Sequence, residues 1–311
     1  MPTITLYESS KLALNELVSG IIETVITVNR FFEVIGFDGI EGNALQYNRE
    51  LALADVQNAA PGDLIIAKNP ATFTSVTSGL VTIIGDAEVN GLIQSTRSGD
   101  GNDQTAVQIA SKAKSIGRQY QNQLINGTGI SNQFLGLLNL VDPSQVIAST
   151  STSAGDALSF ATLDAVIDLV TDKDGLVDYL TMNQRTRRSY YNLLRNLGGA
   201  QIQETMQLPS GAVVPTYRGI PIFENNWIPI TQASPDGSTN TTNTSIFAGT
   251  LDDGSRAYGI AGLTASNASG INVVDVGEKE ATDDHIWRVK WYCGLANFSV
   301  RGLAMAKNIT N

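Results

Sequence analysis

The sequence predicts an α+β fold, on three observations. Residues 103–125 carry an apolar stripe of helical period. Residues 43–84 and 271–311 are rich in β-branched and aromatic residues. Between these blocks, after a polar linker, short helical and extended runs alternate as in a mixed module.

Taken in order, residues 8–29 read as a helix. Leu14, Leu17, Ile21, Val25 and Val28 recur at spacings of three and four, and Ser9 or Ser10 would cap it. Gly36, Gly39 and Gly42 then break the pattern. Residues 43–84 read as a long two-stranded arm that turns at Pro61-Gly62. The arm reads as poor in large apolar side chains. An isolated hairpin is marginal in water, so another domain or another subunit must hold it.

Residues 103–125 are the clearest helix, about 34 Å long at 1.5 Å per residue. Ile109, Ala113, Ile116, Tyr120 and Leu124 share a face, Asp103 is the N-cap, and Asn126-Gly127 is the stop. A polar linker covers 146–156. A helix is expected at 162–173, opened by Thr162, and a strand at 176–182. A second helix is expected at 184–197, with Tyr191, Leu194 and Leu197 towards the core. Short strands fit 212–217, 219–224 and 245–249, and 231–245 has the composition of an exposed loop. From 271 the chain reads as a β-meander. His285, Trp287, Val289, Trp291 and Cys293 share one face, Gly294 turns the chain, and 296–306 returns.

Composition narrows the function. The chain has 311 residues, with 20 Lys and Arg against 30 Asp and Glu, a formal charge of -10. Charged residues are 16%, against about 25% in an average soluble domain. No apolar run is long enough for a membrane span, and the N-terminus has no signal-peptide pattern. Cys293 is the one cysteine, so no internal disulfide forms. His285 is the one histidine, which excludes a multi-histidine metal cage. An acidic chain is a poor non-specific DNA binder. The reading is a soluble, intracellular, acidic protein with no cofactor and no metal.

Catalytic motifs are missing. There is no Walker A, no GxGxxG and no GxSxG. Asp100-Gly101-Asn102-Asp103 lacks the later glycine and glutamate of a calcium loop and reads as helix capping. His285 and Cys293 read as structural, the thiol buried and inert. Asp252-Asp253 before Gly254 reads as a turn. Arg185, Arg187, Arg188 and Arg195 form a basic cluster. It is either a solvated helix face or a partner for acids on a neighbour, such as Glu278, Glu280 and Asp284.

The order of parts, together with four stretches, resembles the major capsid proteins of tailed bacteriophages, with the HK97-type fold. The stretches are LINGTGISNQFLGLLN at 124–139, YLTMNQRTRRSYYNLL at 179–194, YRGIPIFENNWIP at 217–229 and SIFAGTLDDGSRAYGIAGL at 245–263. The resemblance implies an N-terminal arm at 1–36 and an E-loop at 37–83. It implies a P-domain from 84–147, with its spine helix, and 264–311, and an A-domain at 148–263. It also implies self-assembly into hexamers and pentamers of a head shell around double-stranded DNA. Portal and scaffolding or decoration proteins would be partners, and the location would be a virion assembled in the host bacterial cytoplasm. No scaffolding segment precedes the arm. The expectation is a separate scaffolding protein or a processed form, and Met1 argues against processing.

The expected inter-subunit contacts are Arg49, Glu50, Asp63 and Lys68 on the E-loop, with Arg185 and Arg188 on the A-domain. Some family members join an E-loop lysine to a neighbour's asparagine through an isopeptide bond, and Lys68 would stand in that place. An encapsulin-like bacterial compartment shares the fold and is the alternative. An α+β enzyme is the third reading, and it has little titratable hardware to build from.

Overall fold

The computed structural model describes residues 30–97, 103–148, 155–172, 175–196, 205–233 and 242–310. The helix expected at 8–29 lies outside them. Strands β1 (Phe37–Ile40), β2 (Ala44–Ala52), β3 (Thr72–Gly79) and β4 (Val81–Asn90) come first, then helices α1 (Gly91–Arg97) and α2 (Gln104–Asn126). Next are α3 (Leu137–Leu140), β5 (Val146–Ala148), α4 (Phe160–Thr171), β6 (Tyr179–Met182) and α5 (Gln184–Asn196). Strands β7 (Thr205–Gln207), β8 (Val213–Tyr217), β9 (Ile220–Glu224), β10 (Asn243–Gly249) and β11 (Ile260–Ala265) follow. Strands β12 (Asn272–Glu278), β13 (Asp284–Asn297) and β14 (Leu303–Thr310) come last.

The long helix forms for the reasons legible in its sequence. Asp103 caps it by accepting from Thr105 N at 2.9 Å, and Gly127 N closes the other end on Gln123 O at 2.8 Å. Ile116, Tyr120 and Leu124 are buried against one sheet. That sheet runs β1-β11-β13-β12, with β4 on the opposite edge of β13. Val289, Trp291 and Cys293 of β13 face the helix, as the alternation requires. Gly127 and Gly136 meet back to back just past the helix: a Cβ on Gly136 would lie 2.6 Å from Gly127 N.

A second sheet has the order β5-β14-β10-β6-β9-β8-β7. Leu163, Val166, Ile167 and Val170 of α4 pack on one face, together with Leu180, Ile222 and Ile246. Tyr179, Phe223 and Phe247 point the other way into the core of the long helix. Phe31 is fully buried there, its ring 4.8 Å from Tyr179 and 5.8 Å from Phe223.

Several local expectations need correction. The closing segment is not a meander. β13 runs straight through Gly294, and β14 leaves for the second sheet, between β5 and β10. Gly294 marks a close approach instead of a turn, since a Cβ there would lie 2.8 Å from Gly79 O. The extended run over 72–84 is two strands, one in the arm and one in the first sheet. Val146–Ala148, read as linker, pairs parallel with β14. Ser159, not Thr162, caps α4, by accepting from Thr162 N at 3.1 Å. Tyr190 is the buried tyrosine of α5 where Tyr191 was expected; Leu197 lies outside the described residues. Asn243, Thr244 and Ser245, read as loop, are buried strand.

Candidate functional site

The candidate site is the two-stranded arm and its root. β2 and β3 pair antiparallel from Ala44–Gly79 to Ala52–Thr72, with a break in register near Glu50. Beyond that pairing, residues 53–71 form an extended tip. The tip organises its backbone locally. Asp63 accepts from Ala60 N at 2.7 Å and closes the Pro61-Gly62 turn. Gln57 Oε1 accepts from Ile66 N and Ala67 N at 2.7 and 2.8 Å. Asn69 Nδ2 donates to Asp55 at 2.5 Å.

Although its polar side chains bond within the tip, the arm also presents apolar side chains to solvent. Leu53 is 77% exposed, Val56 93%, Leu64 80% and Ile66 75%. Leu51, Ile65 and Phe73 extend the strip. This corrects the reading of the arm as poor in large apolar residues. The run Leu64-Ile65-Ile66 was the available signal. Large apolar side chains exposed in this number mark an interaction surface.

The root is different. Tyr47 OH donates to Asn297 O at 2.8 Å, and its ring packs edge-on against Phe298 at 5.2 Å. Arg49 Nε donates to Phe298 O at 3.2 Å, and Arg49 Nη2 donates to Asn297 O. Arg49, expected to face a neighbour, supplies donors to carbonyls at the end of β13 in its own chain. Below it lies a groove of about 470 Å³ lined by Glu50, Asp142, Gln145 and Arg301 among others. The Asp142 carboxyl is held below the usual carboxylate range, first by its bond from Ser144 and in small part by Arg49. The backbone carbonyls that receive Tyr47 and Arg49 leave no residue-type signal, so sequence reasoning missed them.

The other expected contact residues are scattered. Glu50, Asp63 and Lys68 are exposed on the arm. Arg188 is exposed on α5, while Arg185 donates to Thr242 O at 2.5 Å and burial holds its pKa below the usual guanidinium value. Arg187 pairs with Glu224 at 2.7 Å. The structure brings Arg49 and Glu50 to one groove and does not bring the α5 arginines to the arm.

Among the described residues, the titratable side chains His285 and Cys293 singled out in the sequence lie apart from one another along β13. Cys293 is buried, and burial pushes its thiol pKa up to about 12. His285 Nε2 lies 2.6 Å from Asp275 Oδ1, across the β12–β13 pair. Asp252 and Asp253 accept from Gly254 N and Ser255 N in a turn, and Arg256 of that turn pairs with Asp38 at 2.5 Å. Among the described residues no group of His, Cys, Asp and Glu is arranged to hold a metal ion. Nor is any described helix long and apolar enough to cross a membrane.

The sequence matches no protein-family model and no curated protein. Its structure does have relatives. The holo-SrpI encapsulin complex from Synechococcus elongatus PCC 7942 aligns with a TM-score of 0.75 at 17% identity, over 99% of this chain and 97% of that one. The cyanophage A-1(L) capsid aligns with a TM-score of 0.70 at 11% identity, over 97% and 98%. The capsid of Myoviridae phage XM1 aligns with a TM-score of 0.62 at 13% identity, over 99% of both. The chain has the HK97-type fold of these shell proteins.

Proposed function

We propose that the chain is the major capsid protein of a tailed bacteriophage, self-assembling into hexamers and pentamers of a head shell. The carrying observation is the arm: between Leu51 and Phe73 its large apolar side chains are left exposed by the described residues of their own chain. Laid on a second copy, the strip would contribute to an interface of the obligate size class, upwards of about 2,000 Å². Apolar burial of that kind also offsets the repulsion between chains carrying -10 each, which salt screens over about 8 Å.

In this reading residues 1–36 are the N-terminal arm and 37–83 the E-loop. Residues 84–147 and 264–311 make the P-domain, and 148–263 the A-domain. Glu50, Asp63, Lys68 and Arg188 meet neighbouring copies. The shell encloses double-stranded DNA without reading its sequence, and portal, scaffolding or decoration proteins complete the virion. Assembly takes place in the host bacterial cytoplasm. The protein is not an enzyme. An E-loop crosslink through Lys68 would appear as ladders in place of a monomer band after boiling in SDS.

The second reading is the shell of a bacterial encapsulin-like compartment. It is favoured by the encapsulin alignment, whose TM-score of 0.75 exceeds the 0.70 of the cyanophage capsid. Negative-stain electron microscopy with light scattering on the purified protein tests both. Closed polyhedral particles, rings or tubes support a shell, and diameter separates a large phage head from a small compartment. A persistent monomer or dimer across salt and crowding conditions overturns self-assembly.

A further inference from the structure

The arm rests on its own body only near its root. On β2 the half-buried residues are Leu45, Tyr47 and Arg49, and on β3 they are Val76 and Ser78. Between Glu50 and Ser75 every residue is exposed except Gln57, Ala67 and Ala71, which are half-buried, and Gln57 bonds within the tip itself. The last fixed point on the outgoing strand is therefore Arg49.

That point is tightly made. β13 ends its ladder at Asn297, opposite Ile260. The Asn297 carbonyl then accepts from both Tyr47 OH and Arg49 Nη2, filling both lone pairs, while Phe298 O accepts from Arg49 Nε. The Arg49 guanidinium also lies over the Tyr47 ring, 5.6 Å from its centroid. The fork is planar, and two fixed acceptors define its orientation.

We propose that Tyr47 and Arg49 are a latch that sets the direction of the arm before it meets another copy. They are positioning residues for assembly. That consequence rests on the shell reading, whereas the latch is a property of one chain. Geometry makes it matter. From Arg49 to the turn at Pro61 an extended chain reaches at most roughly 40 Å, so a 10° swing at the root moves the tip by ~7 Å. Apolar contact fails over gaps of about 1 Å. A subunit whose arm wanders would hold the binding-competent direction only part of the time, and its apparent affinity for a neighbour would fall by that fraction.

The test uses spin labels on Val56→Cys at the tip and Ser115→Cys on α2, with labelled chain diluted into unlabelled chain. The native Cys293 is buried and stays unlabelled. In the otherwise unchanged protein the tip-to-body distance distribution should be narrow. Adding Tyr47→Phe and Arg49→Gln together should broaden it by ~7 Å or more. Assembly, followed by light scattering, should slow roughly tenfold or give particles of mixed size. Tyr47→Phe alone keeps the ring packing on Phe298 and should fold normally, with an intermediate width. Arg49→Lys, which keeps the charge but not the fork, should not restore the narrow distribution. A distribution unchanged in the double variant overturns the latch, whether or not particles form. Broadening with unchanged assembly overturns the positioning role alone. A narrow, latched chain that never forms particles overturns unaided self-assembly and, with it, the positioning role.

Discussion

Arg288 grips Asp86 with both sides of its guanidinium, Nε to Oδ1 at 2.8 Å and Nη2 to Oδ2 at 2.9 Å. The two residues are directly opposite in the β13–β4 register. The bond from Arg288 is the main reason the Asp86 carboxyl sits below the usual carboxylate range, and burial opposes it. A lowered folded-state pKa gives stability that is present above the unfolded value of about 3.9 and is lost as pH falls through the folded value. Asp86→Asn should therefore lower the urea midpoint at pH 7. The gap from the unmodified protein should narrow as the pH falls below the unfolded carboxylate value. A gap that persists undiminished in acid would show that packing, not charge, sets the effect.

Substitutions in the arm and in the core should separate assembly from folding. Leu64→Ser with Ile66→Ser removes exposed apolar groups and should leave subunit stability within about 0.5 kcal/mol. Particle formation should be lost. Leu124→Ala empties a fully buried position on the long helix and should cost about 2–5 kcal/mol. Chemical denaturation and light scattering on the same samples check both.

Cys293 should be silent to a thiol reagent in the native protein. With its thiol pushed up to about 12, almost none is thiolate at pH 8, and the side chain is buried besides. Ellman's reagent should react only on the timescale of unfolding. Full reaction within seconds in native buffer would contradict the packing around β13.

Gly294→Ala should destabilise the root of the arm. A Cβ would meet Gly79 O at 2.8 Å, beside the Leu80 side chain in ordinary contact at 3.5 Å, a strain of about 1–3 kcal/mol. Hydrogen exchange should rise at Leu80 N, which donates to Asn43 O at 2.8 Å, before it rises on the long helix.

The long helix was legible because one stripe, one cap and one stop all agree at 103–127. The alternation in 285–293 was legible for a related reason: one face of the strand carries Val289, Trp291 and Cys293 into a single core. What escaped depends on contacts far apart in sequence. Gly294 has a turn residue's identity but serves a strand crossing, which only the position of Gly79 reveals. The destination of β14 is set by β5 and β10, not by its own pattern. At the candidate site, the arm was visible as an extension without a core. Its apolar strip was in plain view at Leu64-Ile65-Ile66 and was undervalued because polar and small residues surround it. The root was invisible, because backbone atoms of Asn297 and Phe298 are half of it.

β14 lies in the interior of its sheet, flanked by β10 and β5, and β13 is the common partner of β4, β11 and β12 in the other. Both sheets thus wait for strands made late in translation. A ribosome that stalls before Leu303 releases a chain with a gap between β10 and β5 and both strand edges open. Open strand edges of that kind invite pairing with other chains. Synthesis itself becomes a checkpoint: only a polypeptide read through β13 and β14 can complete the two sheets on which the arm is rooted.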